Sequence, residues 1–426
     1  MLHYIFIESN TTGTGRLAIE RLRSAGHRVS FVTKQPSKYP FLSTIPGIKI
    51  VETNTNDLEQ LINVFELSLK SSHPDALITF STYYVLTVAV LAKKFGFRYL
   101  NPLAAHSCHE KNVMRNVLKA AGMPGPQFWL IGSEEDASRV AREVDFPCVV
   151  KPVSESGSLG VSLIQNSADL IKHFRMLAAR PLNERGQETS GAILVEEFLS
   201  GPEFSIETVT LEPGQTVVVG ITEKHLSEPP YFVEIGHDFP AKIGEGVKQS
   251  LEKAAMAALQ AVGYDYGPAH IEIRLTDGGP VVVEINPRLA GGMIPELVRY
   301  AIGVDLIGAV LDLVVGREPI LEASPEGYSS IRFFTAKKPG FIKMFHSLEW
   351  ARQIPLVQEL TILRPHGEIR PAESSNDRLG YVITSGKDRH AVISTADMVM
   401  NQVQFDFVGS DEVTSPERCI VDRNDN

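Results

Sequence analysis

The sequence predicts a multidomain protein of the α/β and α+β classes, and three observations carry that prediction. Residues 1 to about 105 alternate strand-like and helix-like runs, which implies a parallel sheet covered by helices. The stretch from His270 to Arg288, HIEIRLTDGGPVVVEINPR, folds on paper as an antiparallel hairpin. From about residue 320 the pattern changes again, to short strands followed by a helix, as in a small α+β module. At 426 residues the chain exceeds one ordinary core and suggests two or three domains.

In the first domain (1–105), YIFIE reads as the opening strand, RLAIERLRSAG as a helix and HRVSFVT as the second strand, with DALITF, VLTVAVLAKKFG and RYLNP continuing the alternation. The turn Gly13-Thr14-Gly15 lacks the full GxGxxG spacing of a dinucleotide fingerprint, so it reads as a plain βα turn. The second region (106–315) opens with HEKNVMRNVLKAAGMPGP, a helix stopped by Gly122 and the following prolines. FWLIGS, a helix through Ala141 and the strand CVVKP follow, then a small-residue loop from Ser154 to Gly160. ILVEEFL, FSIETVTL and TVVVGITEK read as strands, and helices are expected near Val247 to Val262 and from Ile294 to Tyr300. Residues 316–409 form the α+β module, and the polar tail, 410–426, has little to bury and is expected to be disordered.

Bulk composition excludes several classes. A content of 43% hydrophobic and 22% charged residues is that of a globular protein. The formal net charge of −10, with no basic run, argues against a nucleic-acid partner. No segment approaches the roughly 18 continuous apolar residues that a membrane span needs. Cys108, Cys148 and Cys419 have no CxxC spacing, so they read as free thiols, and with a first segment that reads as a strand the expected location is cytoplasmic.

The chemistry starts in the hairpin. Asp277-Gly278-Gly279 separates two runs that alternate apolar and polar residues, and centring the loop on Gly278 sets Glu272 directly opposite Glu284. Ile271, Ile273, Val281, Val283 and Ile285 then share one face, and Glu272, Arg274, Glu284 and Asn286 the other. Opposed like charges call for a cation, and hard oxygen ligands beside substrate phosphates suit Mg²⁺, although Arg274 could neutralise the pair instead. Lys151 ends a strand ahead of a Ser/Gly loop whose amides can cradle phosphate, with the lysine as a point charge. No Walker-type GxxxxGK[ST] occurs. Glu196 and Glu197, with Glu203 beyond a Gly-Pro bend, sit where backbone groups can read adenine and an acid can hold ribose hydroxyls, or simply form a solvated strand end.

In order along the chain, Lys111, Lys151 with its loop, EEFLSGPE and EIRLTDGGPVVVEINPR resemble the ATP-grasp superfamily over residues 105 to 315. Within it, YFVEIGHDFPA, NPRLAGGMIPELVRYAIGVDL and the C-terminal module are most similar to the L-amino-acid ligases, or dipeptide synthetases. The resemblance implies an ATP-grasp fold with an N-terminal parallel α/β domain, a central mobile lid over about residues 125–195 and the C-terminal module. It implies that Lys111 and Lys151 hold ATP phosphates, with Ser154, Ser156, Gly157, Ser158 and Gly160 in the lid loop closing over them. Glu196, Glu197, Phe198 and Leu199 would border the adenine, Glu197 and Leu199 chiefly through backbone, and Glu203 the ribose. Glu272, Glu284 and Asn286 would bind Mg²⁺, with Mn²⁺ as an alternative. Arg288 would contact the transferred phosphoryl group or a substrate carboxylate, and Glu234 and His237 would line the amino-acid site. Arg288, His237 and Lys151 are the catalytic candidates. Gly291 and Gly292 stand where some relatives carry a bulky aromatic, and would enlarge or flatten the substrate pocket.

The activity so implied is an ATP-dependent carboxylate-amine ligase. It would join amino acids through an acyl phosphate and act on small-molecule acid and amine substrates, with a homodimer as an allowed assembly. The alternatives are a ligase of a natural-product or nucleotide-precursor pathway, a non-catalytic ATP-binding protein and a biotin-carboxylase-like subunit.

Overall fold

The computed structural model describes residues 1–11, 13–71, 73–324 and 327–409, so the tail expected to be disordered, and Cys419 within it, lie outside the described residues. The first domain is a four-stranded parallel sheet of β1 (His3–Ile7), β2 (Arg28–Thr33), β3 (Ile48–Glu52) and β4 (Ala76–Ile78), in the order β3-β2-β1-β4. β3 and the helix Leu58–Ser71 between it and β4 were not read from the sequence. Three of the five β3 residues are exposed, so its apolar signal is weak. RYLNP, by contrast, forms no strand; Pro102 instead opens a helix capped by Asn101.

A second four-stranded sheet holds β5 (Phe128–Ile131), β6 (Cys148–Pro152), β7 (Ser162–Ile164) and β8 (Ile193–Glu197), ordered β5-β8-β6-β7. It has a core of its own, including Ile131, Val150, Leu170, Phe174 and Val195. This is the region expected to act as a lid. Its turn around Arg185 reaches the first domain, where Asn56 Nδ2 donates to the carbonyls of Arg185 and Gly186 at 3.1 and 3.0 Å.

The central sheet has eight strands. β9 (Glu203–Glu212), β10 (Gln215–Leu226), β11 (Glu234–Phe239), β12 (Gly267–Thr276) and β13 (Gly279–Asn286) are joined by β14 (Tyr328–Phe334), β16 (Val357–Ile362) and β18 (Gly380–Gly386), in the order β13-β12-β9-β10-β11-β14-β18-β16. The C-terminal segment is therefore continuous with the central sheet through the β11–β14 pairing. Only β15 (Gly340–Phe345), β17 (Gly367–Ile369) and β19 (Phe405–Gly409) form a separate sheet. The helices Pro102–His109, Lys111–Ala120 and Glu245–Ala261 bury their apolar sides with Ile206, Ile271, Ile273 and Ile285 of the central sheet. That leaves the opposite face of β9 to β13 for polar residues. Among the described residues no helix is long and apolar enough to cross a membrane.

Candidate active site

The hairpin sets the site's geometry. Glu272 pairs with Glu284 as the sequence requires, but the loop is the two residues Asp277-Gly278, and Ile273 pairs with Val282. Val283 is thus an extra residue, a bulge that re-aims the strand beside a functional site. Val282 enters the core and Val283 turns to the cleft, reversing the expected face of the latter. The bulge frees two carbonyls, and Arg115 takes both, donating from Nη1 to Val282 O at 3.0 Å and from Nη2 to Val283 O at 2.9 Å.

Above this hairpin lies a cavity of about 330 Å³, bounded by the lid, the central sheet, the first domain and the loop Ser375–Arg378. Lys111, at the start of its helix, places Nζ 2.8 Å from Glu284 Oε1 and donates to Glu155 O at 2.8 Å. Lys151 Nζ lies 2.5 Å from Glu196 Oε2, and Arg115 Nε lies 2.6 Å from Glu196 Oε1. Burial alone would raise the Glu196 carboxyl, but Arg115 and Lys151 outweigh it and hold its pKa at about 2. Burial lowers Lys151 despite that pairing, with Arg115 and Lys111 adding repulsion. Glu196 is therefore a buried hub that fixes Lys151, while Glu197, one residue on, lies at the exposed strand end.

On β12, His270 lies between Glu207 (2.9 Å) and Glu272 (3.2 Å). Burial would lower its pKa, but the two acids raise it to about 9. Glu272 is also 3.1 Å from Lys224 Nζ; against the effect of burial, Lys224 and His270 hold Glu272 at about 2. Arg274 does not neutralise the Glu272–Glu284 pair. It turns to Glu203 at 3.1 Å, donates to the carbonyls of Leu199 and Gly201, and lies over the rings of Phe198 and Phe232.

At the other end, Glu234 is bound by Lys224 at 3.0 Å and by Arg378 Nη2 at 2.8 Å. Burial opposes ionisation there, but Lys224, His237 and Arg378 keep the carboxyl well below its usual range. His237 lies behind this layer, fully buried and edge-on to Phe333, and among the described residues neither ring nitrogen has a hydrogen-bond partner. Burial lowers its pKa to about 3, so it stays neutral. Arg288 donates to Thr82 Oγ1 of the first domain, to Leu289 O at 2.8 Å and to Asn286 Oδ1 at 3.4 Å.

Residues 144–296 match the ATP-grasp domain and residues 332–408 match the L-amino acid ligase C-terminal domain 2. The chain belongs to the ATP-grasp superfamily. It is 30% identical over 400 residues to the uncharacterized protein y4rH of Sinorhizobium fredii, covering 93% of this chain and 80% of that protein. It is 26% identical over 327 residues to carnosine synthase 1 of Gallus gallus, covering 72% of this chain, and spans only about a third of that relative (34%). The crystal structure of an L-amino acid ligase from Bacillus licheniformis superposes with a TM-score of 0.82 at 22% identity, covering 96% of this chain and 99% of that one. The fold is thus the ATP-grasp fold with a parallel-sheet N-terminal domain, and L-amino acid ligases are among the relatives and solved structures it is similar to.

In this ATP-grasp chain, most of the residues singled out from sequence line one cavity: Lys111, Lys151, Ser156, Gly157, Ser158, Glu196 to Leu199, Glu203, Glu234, Glu272, Glu284, Asn286, Arg288, Gly291 and Gly292. Three do not. Ser154 lines a smaller cavity behind the loop, Gly160 packs against Pro152 and Leu177, and His237 is covered by its neighbours. The two glycines also differ. Gly291 has open space where a side chain would go, but a Cβ on Gly292, at φ +57°, would meet His237 Nε2 at 2.6 Å. Only Gly291 therefore widens the cleft.

Arg115, Lys224, His270 and Arg378 were missed. Arg115 carried a signal, since it follows Lys111 by four residues and so shares its helix face. Lys224 and Arg378 carried none, because their acids come from other strands. Glu272, Glu284 and Asn286 offer hard oxygens on one cleft wall, the donor set that suits Mg²⁺ held jointly with phosphates. Among the described residues no cluster of three or more His, Cys, Asp or Glu is placed to hold a metal ion.

Proposed function

We propose that this protein is an ATP-dependent carboxylate-amine ligase that joins two amino acids, or an amino acid and a related acid, releasing ADP and phosphate. The observation that carries the reading is the convergence of two lysines, two opposed carboxylates, an asparagine and an arginine on one cavity. A carboxylate is a poor acylating agent because its leaving group would be oxide. ATP converts it to an acyl phosphate, which an amine attacks with departure of phosphate, and no enzyme nucleophile is needed. Phosphoryl transfer chiefly requires positioning and charge neutralisation.

Lys151, fixed by Glu196, and Lys111, fixed by Glu284, would bind phosphate oxygens from two sides. Glu197, Phe198, Leu199 and Glu203 line the same cleft, and base and ribose would bind against them. Glu272, Glu284 and Asn286 would hold Mg²⁺, which when bound neutralises charge on the transferred phosphoryl group. Arg288 would orient the acid substrate, and the loop Ser156–Ser158 would exclude water from the acyl phosphate. Ser375 N donates to Gly157 O at 3.0 Å and Ser158 Oγ to Phe232 O at 2.8 Å, so the loop is held closed from both sides.

The decisive experiment is a phosphate-release screen over pairs of amino acids with ATP and Mg²⁺, followed by mass detection of the joined product. Release that depends on an acid and an amine together supports the reading, and no release with any pair overturns it. A second reading keeps the same grasp with a bulkier or non-proteinogenic acid, and the open side of Gly291 favours it.

A further inference from the structure

One turn of the C-terminal segment, Ser374 to Arg378, touches both the lid and the central sheet. Ser375 N donates at 3.0 Å to the carbonyl of Gly157, in the loop that would cover the phosphates. Asn376 Nδ2 donates at 2.8 Å to Glu184 Oε2, in the lid turn closed by the Leu182–Glu188 bridge. Arg378 donates from Nε and Nη2 to Glu234 O at 3.1 and 2.8 Å, and from Nη2 to Glu234 Oε2 at 2.8 Å. Its guanidinium also lies 3.8 Å from the centre of the Phe333 ring, so this end of the turn is fastened to β11 and β14.

The turn is built to hold its shape. Asp377 Oδ2 accepts from the amides of Glu373 and Ser374 at 3.1 and 3.0 Å and from Ser374 Oγ at 3.0 Å, while Oδ1 accepts from Arg370 Nε at 2.9 Å. Ser374 and Asp377 are both buried, and Arg364 Nη2 donates to Asn376 O at 2.6 Å. The lid has a core of its own, and Gly157 and Glu184 are separate points on it. Two bonds from one braced turn therefore fix where the lid stands. The first domain holds the same two segments, since Tyr83 Oη donates to Glu155 Oε2 at 2.7 Å and Gln187 Nε2 donates to Tyr83 O at 3.2 Å.

We infer that this turn is a clasp: the Ser375 amide and the Asn376 side chain are positioning groups that keep the lid closed on the acyl phosphate, with Arg378 as their anchor. The inference rests on the ligase reading above and adds what keeps the intermediate from water. An acyl phosphate open to solvent is lost, because water adds to its carbonyl carbon and the C–O bond to phosphate breaks. The oxygen of water stays on the regenerated carboxylate, its protons pass to phosphate and solvent, and no amide forms. Each neutral hydrogen bond of the clasp shifts the balance of closed over open lid by about 2- to 12-fold.

The test uses the full chain with ATP, Mg²⁺ and an acid and amine that support turnover, and measures phosphate released against amide formed. Ser375→Pro removes the donor to Gly157 and suits the backbone, because Ser374 is extended at φ −152° and ψ 168° and proline fits the first position of the turn. In this variant, and separately in Asn376→Ala, phosphate released per amide should rise about 2- to 12-fold. Asn376→Asp sets a second carboxylate against Glu184 and should raise the ratio further. Adding Glu184→Gln returns a donor to the pair, now from the lid side, and should bring the ratio back toward that of the wild type. A variant that merely damages the fold would lower phosphate and amide in proportion. An unchanged ratio in Ser375→Pro and Asn376→Ala, or no recovery in the exchanged pair, overturns the clasp, while amide formation by the wild type leaves the ligase reading standing. No amide from the wild type with any pair overturns both.

Discussion

Lys224 Nζ lies 3.1 Å from Glu272 Oε1, and the same ammonium holds Glu203 at 2.7 Å and Glu234 at 3.0 Å. One buried cation thus joins the acids expected to serve metal, ribose and substrate. Burial would lower Lys224, but Glu203, Glu272 and Glu234 raise it well above its ordinary value. Lys224→Met keeps the stem and removes the charge, leaving buried acids without this cation, a loss that costs about 3–5 kcal/mol. The urea midpoint should fall, and Mg²⁺ should restore more of it in the variant than in the wild type. A variant as stable as the wild type without Mg²⁺ would show that the acids do not depend on Lys224.

Glu284 answers a different question, because its side chain is partly exposed and its ion pair is to Lys111. Glu284→Ala is expected to cut phosphate release by at least about 100-fold, since it removes a carboxylate from the proposed phosphoryl-transfer site. The denaturation midpoint should change by only about 1 kcal/mol or less, because little core is lost. Full turnover in this variant would contradict the metal assignment.

The Glu272–Glu284 pairing was legible because strand periodicity and a Gly turn fix register locally. The bulge at Val283 was not, since it depends on Arg115 arriving from a distant helix to satisfy two carbonyls. The same limit explains Lys224 and Arg378, which matter only because β10 and the loop before β18 come to the face that carries Glu234. The glycines show the limit most sharply. A sequence displays two missing side chains, but only the fold reveals that a histidine fills the space beside one of them.

Arg115 bridges the hairpin and the phosphate lysine, so its removal should be felt in both. Arg115→Met leaves the carbonyls of Val282 and Val283 and half of the Glu196 carboxylate unpaired, for a cost of about 3–5 kcal/mol. Arg115→Lys keeps the charge but cannot reach carboxylate and carbonyls in one plane, so it should recover only part of the stability. The KM for ATP should rise in both variants as Lys151 loses its fixed partner. Unchanged urea midpoints would mean that the bridge is not structural.

Gly291 and Gly292 should respond oppositely to the same methyl group. Gly292→Ala is expected to destabilise by about 1–3 kcal/mol, from a 2.6 Å clash with His237 and a left-handed backbone at φ +57°. Gly291→Ala meets nothing within 4 Å and should leave stability unchanged while raising the KM for large acids. Paired urea titrations and substrate series on the two variants separate the effects, and equal destabilisation would contradict this arrangement.

His237 should report itself through pH. Its pKa falls from 6.5 to about 3 on folding because the ring is buried, so at low pH the unfolded chain takes up a proton that the folded one refuses. The stability that this depressed group contributes is fully present above pH 6.5 and is lost as pH falls toward 3, at roughly 1.4 kcal/mol for each tenfold difference in proton affinity. His237→Gln cannot titrate, so its urea midpoint should fall less steeply than that of the wild type over this window. Because the neutral ring does not touch the cavity, the variant should also leave unmoved any pH dependence of turnover near neutrality. Parallel stability curves for the two proteins, or a turnover profile that loses an inflection in the variant, would place a titrating His237 in the chemistry instead.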